Sequence, residues 1–437
     1  MIRLAIILIG FETMRRQWRS LAAFGAFWGI LGLAILMDAA DGVTAVVTEA
    51  FGYLLVAEGL GAILLTVSLG RYRGRFFLAR GLIMLVMGLL IIDLPWHNDI
   101  ANSLLFGIAF LLDGSVRLVA AFLVRYPRWK AIAGIATGEI VLAVLSFASW
   151  PVSYTKTVPF CIGIALLLSG FTFIRLAMNL RNLPPEPGQW PLFARSRWVP
   201  RLDTAMLQAQ PKADLLSVRV WTPRGDDEHT RQRPVIDRYI VAVDRNGVIS
   251  TGHAALECGD DIYVSHYPAV EIDRSANDLV RVIRANPEND VPGRFQPSYS
   301  YEASQWREAD AHVKFSRFNA ANLAAFWMAY QQDDTYNLAN RNCSVVVALA
   351  LESALEGVLR TDKVWRVFLR LLANPDLWLA AILHGRAESM TWTPGLVLDY
   401  ARALRRIVHP SPVRWPSKFR NMLREHRRVR TEARAAA

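Results

Sequence analysis

The sequence predicts a two-part protein: a transmembrane α bundle of six helices in three hairpin repeats, followed by an α+β domain built on an antiparallel sheet. Three observations carry this. Residues 1–185 hold 15 Arg/Lys and 9 Asp/Glu, whereas residues 186–437 hold 34 and 29, so the first part is as poor in charge as lipid requires. Apolar runs near 20–37, 44–69, 76–94, 100–123, 131–149 and 158–178 are long enough, or nearly so, to cross about 30 Å of hydrocarbon at about 1.5 Å per residue. Beyond residue 212 the apolar positions alternate as they do in half-buried strands.

The run Ile2–Phe11 is about half a span; it lacks a small-residue cleavage site and is followed by Met14-Arg15-Arg16, so it predicts neither a signal peptide nor a seventh span. The six runs repeat with a period near 56. Asp113-Gly114 is matched by Ser169-Gly170 and by Glu58-Gly59, Pro95 by Pro151, and Gly32-Leu33 by Gly88-Leu89. Glycines at 29, 32, 59, 88, 107, 114, 134, 138 and 170 allow helix backbones to approach closely. Arg15, Arg16, Arg19, Arg71, Arg73, Arg75, Arg80, Arg125, Arg128 and Lys130 all fall in alternate loops, which predicts cytoplasmic N- and C-termini in a multi-pass protein of a cell inner membrane.

These hairpins, with their Gly-Leu runs and the acidic-or-Ser-Gly pair in each second helix, resemble acid-resistance membrane proteins of the HdeD type over residues 15–181. The resemblance implies a six-span unit linked to acid or envelope stress. Glu58 and Glu139 are ionisable groups in such spans and candidates for proton sensing, whereas Asp113 and Arg117, four apart, read as a pair on one helix face.

The net charge of +11 does not indicate nucleic acid. The basic excess sits in the membrane flanks and in the tail beyond Pro410, so membrane lipids are the expected partner and nucleic acid is not. Three scattered cysteines make neither a disulfide framework nor a zinc site; a reducing compartment, no metal and no cofactor are expected.

A Pro-rich linker spans 182–211. In the domain that follows, 212–360, strands are predicted at Leu216–Trp221, Arg238–Val243, Val248–Leu256 and Ile262–Tyr267, with turns at Asp244–Gly247 and Gly259–Asp261. An irregular stretch to Ala311 precedes two helices, Asn319–Gln331 and Ser344–Glu356, the second stopped by Gly357. Residues 361–437 read as amphipathic helices, Val364–Leu383 and Pro394–Val408, and a basic tail; the helices cover the preceding domain or lie on the membrane face.

Two segments carry chemistry. Thr251-Gly252-His253-Ala254 puts a histidine in a strand, with Ser265 and His266 on the next one; Asn342-Cys343 puts a thiol at a helix start beside a capping residue. A helix N-terminus and an imidazole both lower a thiol pKa, the condition for nucleophilic attack at neutral pH. Strand alternation allows only one of Ser265 and His266 to face His253, and His266 is favoured.

This order of His, polar residue and Cys resembles the permuted papain-like thiol hydrolases over about 212–360. The resemblance implies Cys343 as nucleophile, His253 as base and His266 as the residue orienting the imidazole. Ala254 and Ser344-Val345 stand where the acyltransferase-like members carry an aromatic residue and an acidic-His pair, which favours a peptidase or amidase acting on a peptide, amide or ester. The expectation is therefore a membrane-anchored cysteine hydrolase, with homo-oligomers as a further expectation. The alternative is a non-catalytic membrane stress protein whose papain-like domain binds a partner.

Overall fold

The computed structural model describes residues 1–41, 99–125, 129–150, 153–182, 213–222, 252–270, 283–389 and 391–410 continuously, with scattered positions in 52–92, 242–250 and 272–281. The expected spans at 44–69 and 76–94, the linker, Glu58 and the tail from 411 lie largely or wholly outside the described residues.

Among the described residues four helices are long and apolar enough to cross a membrane: α3 (Trp18–Asp41), α4 (Asp99–Val124), α5 (Trp129–Ala148) and α6 (Tyr154–Arg181). Two short helices precede them, α1 (Ile2–Ile9) and α2 (Phe11–Arg16). The described backbone falls into two compact units, one drawn from residues 1–22, 114–137 and 176–410, the other from 23–113 and 138–175.

In the second unit the glycines act as spacers. A Cβ on Gly170 would lie 2.5 Å from the Gly29 nitrogen, and one on Gly32 would lie 2.6 Å from the Leu167 nitrogen, so α3 and α6 meet backbone to backbone. Gly107 is covered by the Phe147 ring, whereas Gly134 and Gly138 face open space. Large apolar side chains such as Ile30 and Phe171 are 68% and 62% exposed, as helices facing hydrocarbon present them. Glu139 lies within α5.

In the first unit a four-stranded antiparallel sheet has the order β5 (Ile262–Val264), β4 (His253–Cys258), β1 (Leu216–Trp221), β8 (Ala311–Phe315). A second sheet is β6 (His266–Pro268), β7 (Val291–Phe295), β9 (Thr335–Tyr336), and β2 (Ala242–Val243) pairs with β3 (Ile249–Ser250). The strand expected at Val248–Leu256 is broken at Gly252, whose φ of 66° only glycine adopts freely, so β4 begins at His253. The strand expected at Ile262–Tyr267 is likewise broken, at Ser265, where the chain leaves the first sheet for the second.

Helix α7 (Tyr299–Gln305), capped by Ser298, occupies the stretch expected to be irregular. Helices α8 (Ala320–Tyr330) and α9 (Cys343–Leu355) match expectation within a residue or so, and Gly357 follows α9 at φ 73°. The helix expected at Val364–Leu383 bends by 70° between α10 (Val364–Leu372) and α11 (Pro375–Ser389), because Pro375 cannot continue the preceding turn. Helix α12 (Pro394–Val408) packs on α11, α9 and strands β1, β4 and β8, covering the sheet.

The half-span at the N-terminus belongs to this unit. Leu4 to Ile9 are buried, α1 packs on α10, and the amides of Gly357 and Leu359 donate to the carbonyls of Ile7 (2.9 Å) and Leu8 (2.8 Å). Phe11 N–H donates to Glu356 Oε1 at 3.3 Å. Burying each such aliphatic side chain stabilises the fold by roughly 1.5–3 kcal/mol, which is why eight residues too short for a bilayer settle in a protein core.

Candidate active site

Cys343 is the first residue of α9. Asn342 caps this helix, its Oδ1 accepting from the amides of Ser344 (2.9 Å) and Val345 (2.8 Å), while its Nδ2 donates to the Leu338 carbonyl (2.7 Å). These bonds fix the first turn and set the thiol beside β4, where the His253 imidazole is close enough to stabilise the thiolate. The sequence-predicted pair is thus brought together.

His253 is buried, and Tyr267 stacks on its ring at 4.2 Å between centroids. Its Nε2 lies 3.0 Å from Ser265 Oγ and 3.2 Å from Glu302 Oε1, which leaves Nδ1 as the nitrogen free to serve Cys343. Glu302 is buried on α7 and accepts from Tyr263 Oη and, at 2.8 Å, from Ser265 Oγ. A carboxylate so surrounded stays ionised, and with Nε2–H directed to Glu302, Nδ1 is the nitrogen that exchanges a proton with the thiol.

His266 does not take the orienting position. Its Nδ1 lies 3.0 Å from Tyr330 Oη and its Nε2 3.2 Å from the Asp334 carbonyl oxygen, on the second sheet. The reason is register. Leu256 pairs with Val264 across β4 and β5, which puts Ser265 on the His253 face and His266 on the other. His266 still lines the same cleft as Cys343 and His253, whose volume is about 420 Å³.

The electrostatics follow from this packing. Burial opposes charging of the Cys343 thiol, but the adjacent His253 outweighs it and holds the thiol below its ordinary pKa. Burial likewise opposes protonation of His253, yet the Cys343 thiolate and the Glu302 carboxylate raise it to about 9. Glu302 is lowered because His253, Tyr263 and Ser265 all favour its charged form against burial. Burial pushes His266 down to about 4, so it is neutral at physiological pH. A thiolate–imidazolium pair is the arrangement these shifts describe.

Cys343 is 9% exposed and opens on the cleft rather than being sealed among Val345, Val346 and Val347. Cys258 is buried at the end of β4, its thiol raised to about 11 by burial and by Asp261. Among the described residues no group of three or more His, Cys, Asp or Glu could hold a metal ion.

Glu302 is the residue that sequence reasoning missed. The signal available was modest: Ser298 as an N-cap, opening a helix short enough to read as irregular. Compared with protein-family models, curated proteins and solved structures, the chain matches none.

Proposed function

We propose that the protein is a membrane-anchored cysteine hydrolase, a peptidase or amidase of permuted papain-like fold, with Cys343 as nucleophile, His253 as acid and base, and Glu302 as the residue that orients the imidazole. The observation that carries this reading is the His253 imidazole beside the cleft-facing Cys343 sulfur, backed on its Nε2 side by the buried Glu302 carboxylate at 3.2 Å.

The thiolate attacks the carbonyl carbon, forming a C–S bond as the carbonyl π pair moves onto oxygen. Asn342 already occupies the amides of Ser344 and Val345, so of the first-turn amides the Cys343 N–H is the one aimed at the oxyanion. The C–N bond breaks as imidazolium His253 gives its Nδ1 proton to the leaving amine. Water then attacks the thioester, yielding its proton to His253; the C–S bond breaks and the thiolate–imidazolium pair is restored.

Iodoacetamide titration tests the site on the full chain in detergent. Alkylation of Cys343 should already be fast at pH 7, below the ordinary thiol value of about 8.5, and His253→Ala should move that titration upward. A wild-type profile that rises only above pH 8.5 would reduce Cys343 to a packing residue.

The membrane placement belongs to the same reading. Six spans of HdeD-like type in an inner membrane, with both ends in the cytoplasm and a role in acid or envelope stress, are supported by the basic loops and by the adjacency of the two ends of the helical run. The Arg181 guanidinium lies 4.9 Å from the centroid of the Trp18 ring, as an even number of crossings requires. A reporter fused after Arg181 should be active only in its cytoplasmic form; activity of a periplasmic reporter there would reverse the orientation.

A further inference from the structure

The walls of the cleft differ in chemistry, and the difference bears on what is cleaved. On one side β6 and β7 pair antiparallel, with Tyr267 opposite Arg294. Directly paired residues of antiparallel strands have Cβ atoms about 5 Å apart, and Tyr267 is the ring that stacks on His253. Arg294 is therefore one side chain removed from the imidazole. Gln296, two positions on, also lines the cleft.

Another part of the wall is aromatic: Tyr301 and Trp306 line the cleft and are 47% and 50% exposed. Trp306 stacks on buried Trp221, which holds it as a fixed platform.

The charges are not balanced. Glu302, the carboxylate lining the cleft, is engaged by His253, Ser265 and Tyr263. The thiolate and imidazolium neutralise one another. Arg294 is exposed, and among the described residues no carboxylate forms an ion pair with it. A cation with no ion-pair partner among the described residues, on the wall of the cleft that Cys343 also lines, is a binding group for an anion that the substrate brings.

Resting on the hydrolase reading, we propose that the cleft selects peptide-type acyl donors that carry a carboxylate beside the scissile carbonyl, with Arg294 holding that carboxylate and Trp306 and Tyr301 supporting the adjoining apolar part of the substrate. A planar guanidinium matches a carboxylate through two parallel N–H···O bonds, and a donor bearing a lysine at the same position meets like charge.

The test uses the full-length protein in detergent and peptidyl chloromethyl ketones whose reactive residue is Glu, Gln or Lys, with Cys343 modification followed by mass spectrometry. Wild type should be modified faster by the Glu reagent than by the Gln reagent, by about 10- to 100-fold, the range expected for a hydrogen-bonded charge pair, and slowest by the Lys reagent. Arg294→Ala should erase the Glu over Gln preference, and Arg294→Glu should turn the order toward Lys. A Glu preference that is absent in wild type, or that survives Arg294→Ala, overturns the proposal. Protection of Cys343 by phosphatidic acid but not by glutamyl peptides would overturn it too, assigning Arg294 to a phosphate. Rapid iodoacetamide labelling of Cys343 with no response to any ketone sinks the specificity alone; loss of both sinks the hydrolase reading with it.

Discussion

Replacing Glu302 with glutamine should lower turnover of an amide substrate by about 10⁴-fold, the scale seen when the orienting carboxylate of a nucleophile–His–acid site is removed. The substitution keeps the shape of the side chain but puts an amide where Tyr263, Ser265 and His253 direct their hydrogens. A readout independent of any substrate is the alkaline limb of Cys343 alkylation. Glu302 is one of the groups that raise His253 to about 9. Losing its charge lowers the folded imidazole pKa, so the pH at which the imidazolium gives up its proton should move down from about 9. Alkylation profiled from pH 5 to 10 checks this. His266→Ala should leave that limb in place, since His266 bonds Tyr330 and Asp334 instead. The reverse outcome, a shift with His266→Ala and none with Glu302→Gln, would restore His266 to the orienting role.

Arg341→Met should produce the largest loss of stability short of unfolding. This arginine is 1% exposed; its Nε donates to the Thr335 carbonyl at 2.6 Å and its Nη2 to the carbonyls of Tyr330 and Asp333, and the guanidinium lies 4.2 Å over the Tyr330 ring. Removing it strands several buried carbonyls at once, a loss of about 3–5 kcal/mol. For a unit of this size that is a fall in Tm of roughly 6–15 °C, measurable by thermal denaturation in detergent. The same turn presents the Asp334 carbonyl to His266 and Tyr336 to the cleft, so alkylation of Cys343 should slow as well. An unchanged Tm would mean that water replaces the guanidinium.

Much of this was legible in sequence because it depends on local chemistry. The Asn342 cap, the apolar helix after Cys343 and the strand Leu216–Trp221 are each written in a few adjacent residues, and the structure returns them nearly unchanged, although the strand is buried on both faces rather than one. What could not be read depends on pairing. Whether Ser265 or His266 faces His253 is a matter of one-residue parity between β4 and β5, and the chain hides that parity by changing sheets at Ser265. Glu302 stands 37 positions from Ser265 on a seven-residue helix, and no spacing rule connects the two. Helix α1 is legible as too short for a span, but its partner is not. Its composition is that of a membrane segment, and only the presence of α10 decides that it packs against protein.

That last contact has a consequence for the order of synthesis. Phe11 and Glu356 are 345 positions apart, so the segment that closes this core leaves the ribosome long before the surface it covers exists. Closing so long a loop is not a large entropic obstacle, since each doubling of length adds only about 0.6 kcal/mol. The cost lies in the waiting: a stretch of exposed isoleucine and leucine has no partner in this unit until the segment around Glu356 and α10 has been made. A fragment cut to begin after the linker at 182–211 is accordingly not an independent domain, because it would display the apolar groove that Leu4 to Ile9 fill.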